Sequence, residues 1–203
     1  MVKKTNIAVL VSGSGTNLQA IIDKAENGWL PAAVTCVISN KKDAYGLVRA
    51  EQHNIPSHFV DARGKSRQEH EKEIHEILKK YDVELVVLAG YMRLISPYLV
   101  ARYKNRIINI HPALLPSFPG TDGYGDAWKY GVKVSGCTIH FVDEGCDTGP
   151  IIVQRENPVM PDDTFETFRQ RGLGIEHEAY PEAIKLYCEG KLKIEGRKVR
   201  ITT

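Results

Sequence analysis

The chain has 203 residues, 42% hydrophobic and 26% charged, with a formal net charge of +2. That is enough for one sizeable domain with a real core, while the scattered lysines and arginines argue against a nucleic-acid surface. No apolar run nears the roughly 18 residues of a bilayer span, so no membrane partner is expected. Cys36, Cys137, Cys146 and Cys188 are widely spaced with no C-x-x-C, which reads as reduced thiols in a cytoplasmic protein. The run Met1–Asn6 leads into too few apolar residues for a secretory leader.

In chain order, Asn6–Val11 reads as a buried strand, and Leu18–Lys24 as part of a helix with Leu18, Ile21 and Ile22 on one face. Val34–Ser39 is a second strand, Ala44–His53 a helix, and His58–Val60 a short strand after Ile55-Pro56. Ser66–Tyr81 is a charged amphipathic helix with Ile74, Ile77 and Leu78 as its stripe. Leu85–Ala89 and Ile107–Ile110 are continuous apolar strands. Such uninterrupted runs separated by helices predict a parallel sheet covered on both faces. Val134–Val142 and Ile151–Val159 form a strand pair around a Gly-rich loop, and a long helix covers Asp163–Cys188. Leu192–Ile194 and Val199–Ile201 are placed to pair around Glu195-Gly196.

The expected fold is therefore a single α/β domain over 1–203, an open, mostly parallel twisted sheet with helices on both faces, Rossmann-like. Ligands in such sheets gather at the carboxyl ends of the strands. Those ends are Ser12–Asn17, Gly90–Arg93, Asn109–His111 and the loop after Val142.

At the first of them, Ser12-Gly13-Ser14-Gly15-Thr16-Asn17 follows a strand and opens a helix. Glycines let the backbone approach an anion, and the helix start offers N–H groups to negative charge. The dinucleotide fingerprint needs a third glycine where Leu18 stands, and no Gly-Lys-Ser/Thr follows for a P-loop. A phosphomonoester fits best, and a nicotinamide dehydrogenase is disfavoured.

Further on, Asn109 and His111 lie two apart at a strand end and so point the same way, with Pro112 stopping the strand beyond them. A histidine can move a proton, and an asparagine N–H can stabilise an oxygen that gains charge. An acid to hold the imidazole must come from Asp143, Glu144 or Asp147, which spacing alone leaves open. A carboxylate beside His111 is expected to raise its pKa. The combination suggests acyl-type transfer. A zinc site from Cys137, His140 and Cys146 is not expected, because Cys137 and His140 differ by an odd number along one strand.

Together, Ser12–Asn17, Leu88-Ala-Gly-Tyr-Met-Arg93, Asn109-Ile-His-Pro112, Leu114-Leu-Pro116 and Asp147-Thr-Gly-Pro150 closely resemble the folate-dependent formyltransferases, specifically the phosphoribosylglycinamide formyltransferase family of purine biosynthesis. The resemblance runs over nearly the whole chain. It implies transfer of a formyl group from 10-formyltetrahydrofolate, as co-substrate, to the amine of 5-phosphoribosylglycinamide through a tetrahedral intermediate, without a metal. It further implies Asn109 as oxyanion donor, His111 as general acid/base, and Asp147 as the acid that tunes His111. Gly15, Thr16, Asn17, Leu173, Gly174, Ile175 and Glu176 would then hold the ribonucleotide, Glu176 through the ribose hydroxyls. Arg67, Met92, Arg93, Leu94, Ile95, Asn109 and the loop Asp143, Glu144, Gly145, Cys146, Asp147 would hold the folate. On this reading the first half, about residues 1–100, binds the nucleotide phosphate, and the rest carries folate binding and catalysis. The partners are small molecules and the protein is a monomer or homodimer. One departure stands out: some members carry histidines after Pro119-Gly120, where this chain reads Thr121-Asp122-Gly123-Tyr124-Gly125. That stretch is expected to be a loop, its two glycines suiting a flap.

Overall fold

In the computed structural model, which describes residues 4–202, a β-α alternation occupies the first half of the chain. The amino-terminal three residues of the Met1–Asn6 run lie outside the described residues. The chain divides into two compact units, Met1–Ile108 and Asn109–Thr203.

In the first unit β1 (Thr5–Val11) runs through the core, with Ile7 to Val11 fully buried. Beside it lie β2 (Ala32–Ser39), β3 (Ser57–Phe59) and β4 (Leu85–Leu88) in the order β3-β2-β1-β4. All three pairings are parallel, and Ile7 to Leu10 of β1 match Leu85 to Leu88 of β4. Parallel strands need crossovers, and these are α1 (Thr16–Glu26), α2 (Tyr45–Gln52) and α3 (Arg67–Lys80). Leu18, Ile21 and Ile22 form the buried face of α1, as the periodicity predicts. Ser66 and Glu69 close a capping box at the start of α3. A further helix, α4 (Pro97–Arg102), escaped the periodicity because six residues hold under two turns. The unit boundary falls inside β5 (Ile107–His111), whose start follows β4 in the strand order.

In the second unit the end of β5 is followed in strand order by β6 (Val134–Phe141), β7 (Ile151–Pro158), then β9 (Lys198–Ile201) and β8 (Leu192–Glu195) at the edge. β6 and β7 pair antiparallel, β7 and β9 parallel, and the terminal hairpin closes around Glu195-Gly196 as expected. α6 (Phe165–Cys188) packs Phe168, Tyr180 and Ile184 into the core and is capped by Thr164.

Residues 123–125 depart from the expected loop, being helical. Asp122 caps a helix, α5 (Gly123–Tyr130), and accepts from the Gly125 N–H at 3.2 Å. The glycines there serve close packing. A Cβ on Gly123 would stand 2.8 Å from the Pro112 carbonyl oxygen and 3.1 Å from His111 Nε2. Among the described residues no helix is long and apolar enough to cross a membrane.

Candidate active site

The apolar run Ile107, Ile108, Ile110 fixes the strand, which leaves Asn109 and His111 on a shared side at its end. His111 is 2% exposed and its ring lies between two acceptors. Nε2 is 2.7 Å from the Phe118 carbonyl oxygen, and Nδ1 is 3.4 Å from Asp147 Oδ2. A carbonyl only accepts, so Nε2 carries a hydrogen. In the neutral ring Nδ1 is then the basic nitrogen, and protonating it creates a charge pair with Asp147. Burial lowers the His111 pKa below its ordinary 6.5, and His140 adds to this. The Asp147 charge and the Phe118 carbonyl pull the other way. The carboxylate raises the pKa as expected, but burial outweighs it and the net shift is downward.

Asp147 gathers several groups. Its Oδ2 accepts from the Gly120 N–H at 2.9 Å, and its Oδ1 lies 3.5 Å from Asn109 Nδ2 and 3.6 Å from His140 Nε2. Burial pushes this carboxyl up, but the neighbouring His140 and His111 rings and the Gly120 N–H outweigh it and hold it at about 2. It is therefore an anion at neutral pH. Asp143 is committed elsewhere: its Oδ1 accepts from the Gly145 N–H at 3.1 Å and the Thr148 hydroxyl at 2.6 Å, which closes the loop on itself. Glu144 and Cys146 are exposed. Of the three carboxylates that spacing left open, Asp147 is the one beside His111. Asp147 and Phe118, which meet the two His111 nitrogens, both have positive φ, 53° and 52°.

His140 is a member of this cluster that the sequence reading considered only as a zinc ligand. It is 1% exposed; Nδ1 donates to the Phe141 carbonyl at 2.9 Å, which leaves Nε2 to accept from Asn109 Nδ2 at 3.2 Å. The link spans 31 residues of sequence, and no local pattern announces it. Opposite this stretch the β6–β7 register slips: Ile139 faces Val153 while His140 faces Ile151. Among the described residues no group of three or more His, Cys, Asp or Glu could hold a metal ion.

On α6, Leu173 and Ile175 are half-buried and Gly174 is exposed. Glu176 is 4% exposed, and its Oε1 accepts from the Tyr124 hydroxyl at 2.6 Å.

In the first unit the glycine loop is a backbone construction. Gly15 sits in the left-handed region at φ 70° and caps α1 with no side-chain bond. A Cβ there would stand 2.8 Å from the Gly46 Cα, so both conformation and space require glycine. The loop is braced by Gly46 N–H to the Gly13 carbonyl (3.1 Å) and Arg49 Nε–H to the Ser14 carbonyl (2.9 Å). The Ser12 hydroxyl donates to Asn40 Oδ1 at 2.6 Å and accepts from the Met92 N–H at 2.8 Å. Thr16 and Asn17 open α1, where first-turn N–H groups have no helical carbonyl to meet. Met92 and Leu94 are exposed apolar side chains, Ile95 is buried and Arg93 half-buried. Arg67, the first residue of α3, is exposed.

Comparison with known proteins decides the family. The formyl transferase family matches residues 5–184. The chain belongs to the formyl transferase family. Within it the chain groups with the phosphoribosylglycinamide formyltransferases, which are enzymes. It is 44% identical to the phosphoribosylglycinamide formyltransferase of Haemophilus influenzae over 93% of this chain and 90% of that protein. Glycinamide ribonucleotide transformylase 1 from Symbiobacterium toebii superposes with a TM-score of 0.97 at 49% identity, over 100% of this chain and 96% of that one. The expected α/β class with its mostly parallel sheet is therefore the fold of this family. The trifunctional purine biosynthetic protein adenosine-3 of Chironomus tentans is 40% identical over 97% of this chain, but the chain spans only 14% of that protein's length.

Proposed function

We propose that this formyltransferase moves a formyl group from 10-formyltetrahydrofolate to the amine of 5-phosphoribosylglycinamide through a tetrahedral intermediate built around Asn109, His111 and Asp147. The amine nitrogen attacks the formyl carbon and the carbonyl oxygen takes the electron pair. Asn109 Nδ2 has two hydrogens: one stays on His140 Nε2, and the other leaves its long 3.5 Å contact with Asp147 Oδ1 to stabilise that oxyanion. Neutral His111 accepts the proton the amine loses. The intermediate collapses by breaking the bond to the folate nitrogen N10, which takes the proton back from His111. Asp147, an anion at neutral pH, stabilises the imidazolium formed in between. The observation that carries the reading is the placement of the Asp147 carboxylate 3.4 Å from His111 Nδ1 and 3.5 Å from Asn109 Nδ2.

The remaining assignments follow the family resemblance. Gly15, Thr16 and Asn17 hold the acceptor phosphate, with Leu173, Gly174, Ile175 and Glu176 along its ribose. Met92, Arg93, Leu94 and Ile95 border the pterin, Arg67 meets the acidic end of the folate, and the 143–147 loop covers the donor. Support for the phosphate reading comes from the uncapped α1 start and the bare backbone of the loop. The test is a formyl-transfer assay with 5-phosphoribosylglycinamide as acceptor and 10-formyltetrahydrofolate as donor. Formylated acceptor in step with donor loss is expected, and donor hydrolysis without acceptor formylation would overturn the reading.

A further inference from the structure

The first turn of α5 touches two functional groups with two consecutive residues. Gly123 packs so closely that a Cβ would come 3.1 Å from His111 Nε2. Next to it, Tyr124 is 6% exposed, and its hydroxyl donates to Glu176 Oε1 at 2.6 Å. The space for that hydroxyl is made on α6, where a Cβ on Gly172 would stand 2.4 Å from Tyr124 Oη. The ring is held edge-on against Phe168, centroids 5.7 Å apart. A carboxylate buried to this degree needs donors to stay where it is. Tyr124 is one, in a segment where some family members carry histidines instead.

We propose that Tyr124 is a positioning residue that holds Glu176 in place for the acceptor's ribose, and that it thereby helps select a ribose over a deoxyribose acceptor. This rests on the reading of Glu176 as the ribose contact. Losing a hydrogen bond to a charged group is worth about a tenfold change in affinity.

The experiment measures kcat and both KM values for Glu176→Gln, Tyr124→Phe and Gly172→Ala. The acceptors are 5-phosphoribosylglycinamide and its 2′-deoxy analogue. Glu176→Gln is expected to raise the acceptor KM about tenfold, leave the donor KM in place and shrink the ribose-over-deoxyribose preference. An unchanged preference in that variant would remove the ribose role of Glu176, and with it the basis of the proposal. Given a Glu176 effect, Tyr124→Phe is expected to reproduce it in kind, with kcat held within about twofold. If Tyr124→Phe instead keeps the wild-type preference, or lowers kcat and raises both KM values together, Tyr124 is only a packing residue and the proposal fails. Should Tyr124→Phe not fold, Gly172→Ala decides by the same readings, since its methyl displaces the hydroxyl while leaving the tyrosine in the chain.

Discussion

The glycine loop of the first unit and the Asn109–His111–Asp147 cluster of the second are built by opposite means. The loop presents backbone: Gly15 has no room for a side chain, and α1 begins without a side-chain cap. The cluster presents side chains whose protonation is set by what surrounds them, burial pushing His111 down and its neighbours holding Asp147 at about 2. A backbone site should tolerate lost side chains and reject added ones. A side-chain site should fail on any truncation and respond to pH.

The largest effect should come from His111→Ala. Turnover is expected to fall by about two to four decades while acceptor affinity, measured by calorimetry, stays near wild type. Unchanged turnover would take His111 out of the reaction. Asn109→Ala should lower kcat by roughly two to three decades if it is the oxyanion donor. A loss confined to KM would assign it to binding alone.

In the loop, Gly15→Ala should destabilise the fold by about 1–2 kcal/mol for the left-handed backbone alone, with more from the contact to Gly46. It should also raise the acceptor KM about tenfold. Thermal unfolding and steady-state kinetics read the two separately. Thr16→Ala should cost only a few-fold in acceptor KM, because the N–H groups remain. If it matched Gly15→Ala, the side-chain and backbone contrast would be wrong.

The subtlest change is a displacement of the pH profile. The Asp147 charge raises the His111 pKa against burial, so Asp147→Asn should move the acid limb of kcat/KM to lower pH; an unmoved limb would mean Asp147 does not act through His111. Stability follows the same groups. The Asp147 pKa drops on folding from 3.8 to about 2, so its contribution is whole above the unfolded value and disappears as pH falls through the folded one. Buried His111, lowered from 6.5, likewise favours the fold above its unfolded value and loses that as pH drops. Melting curves of Asp147→Asn should therefore be flatter than wild type between about pH 4 and pH 2.

Most of the fold was legible because β-branched runs and apolar stripes are local signals: Ile7 to Val11 and the Leu18, Ile21, Ile22 face appear as read. α5 was not legible, because Gly123 looks like a breaker until Pro112 and His111 are seen against it. In the site, the two-residue spacing of Asn109 and His111 was visible, while spacing left Asp143, Glu144 and Asp147 open and Asp147 was singled out by the family resemblance alone; the contacts that occupy Asp143 agree with it. His140 joins through a partner 31 residues away. The sign of the His111 shift depends on burial, which no spacing reveals.

The backbone at Asp147 narrows what can ever stand there. At φ 53° an aspartate or asparagine is tolerated, whereas a glutamate would keep the charge and lose the conformation. Asparagine keeps the conformation and loses the charge, and glycine loses the charge while easing the chain. An evolving or engineered lineage therefore has no gradual route away from this residue: every single step forfeits either the shape of the turn or the anion it delivers.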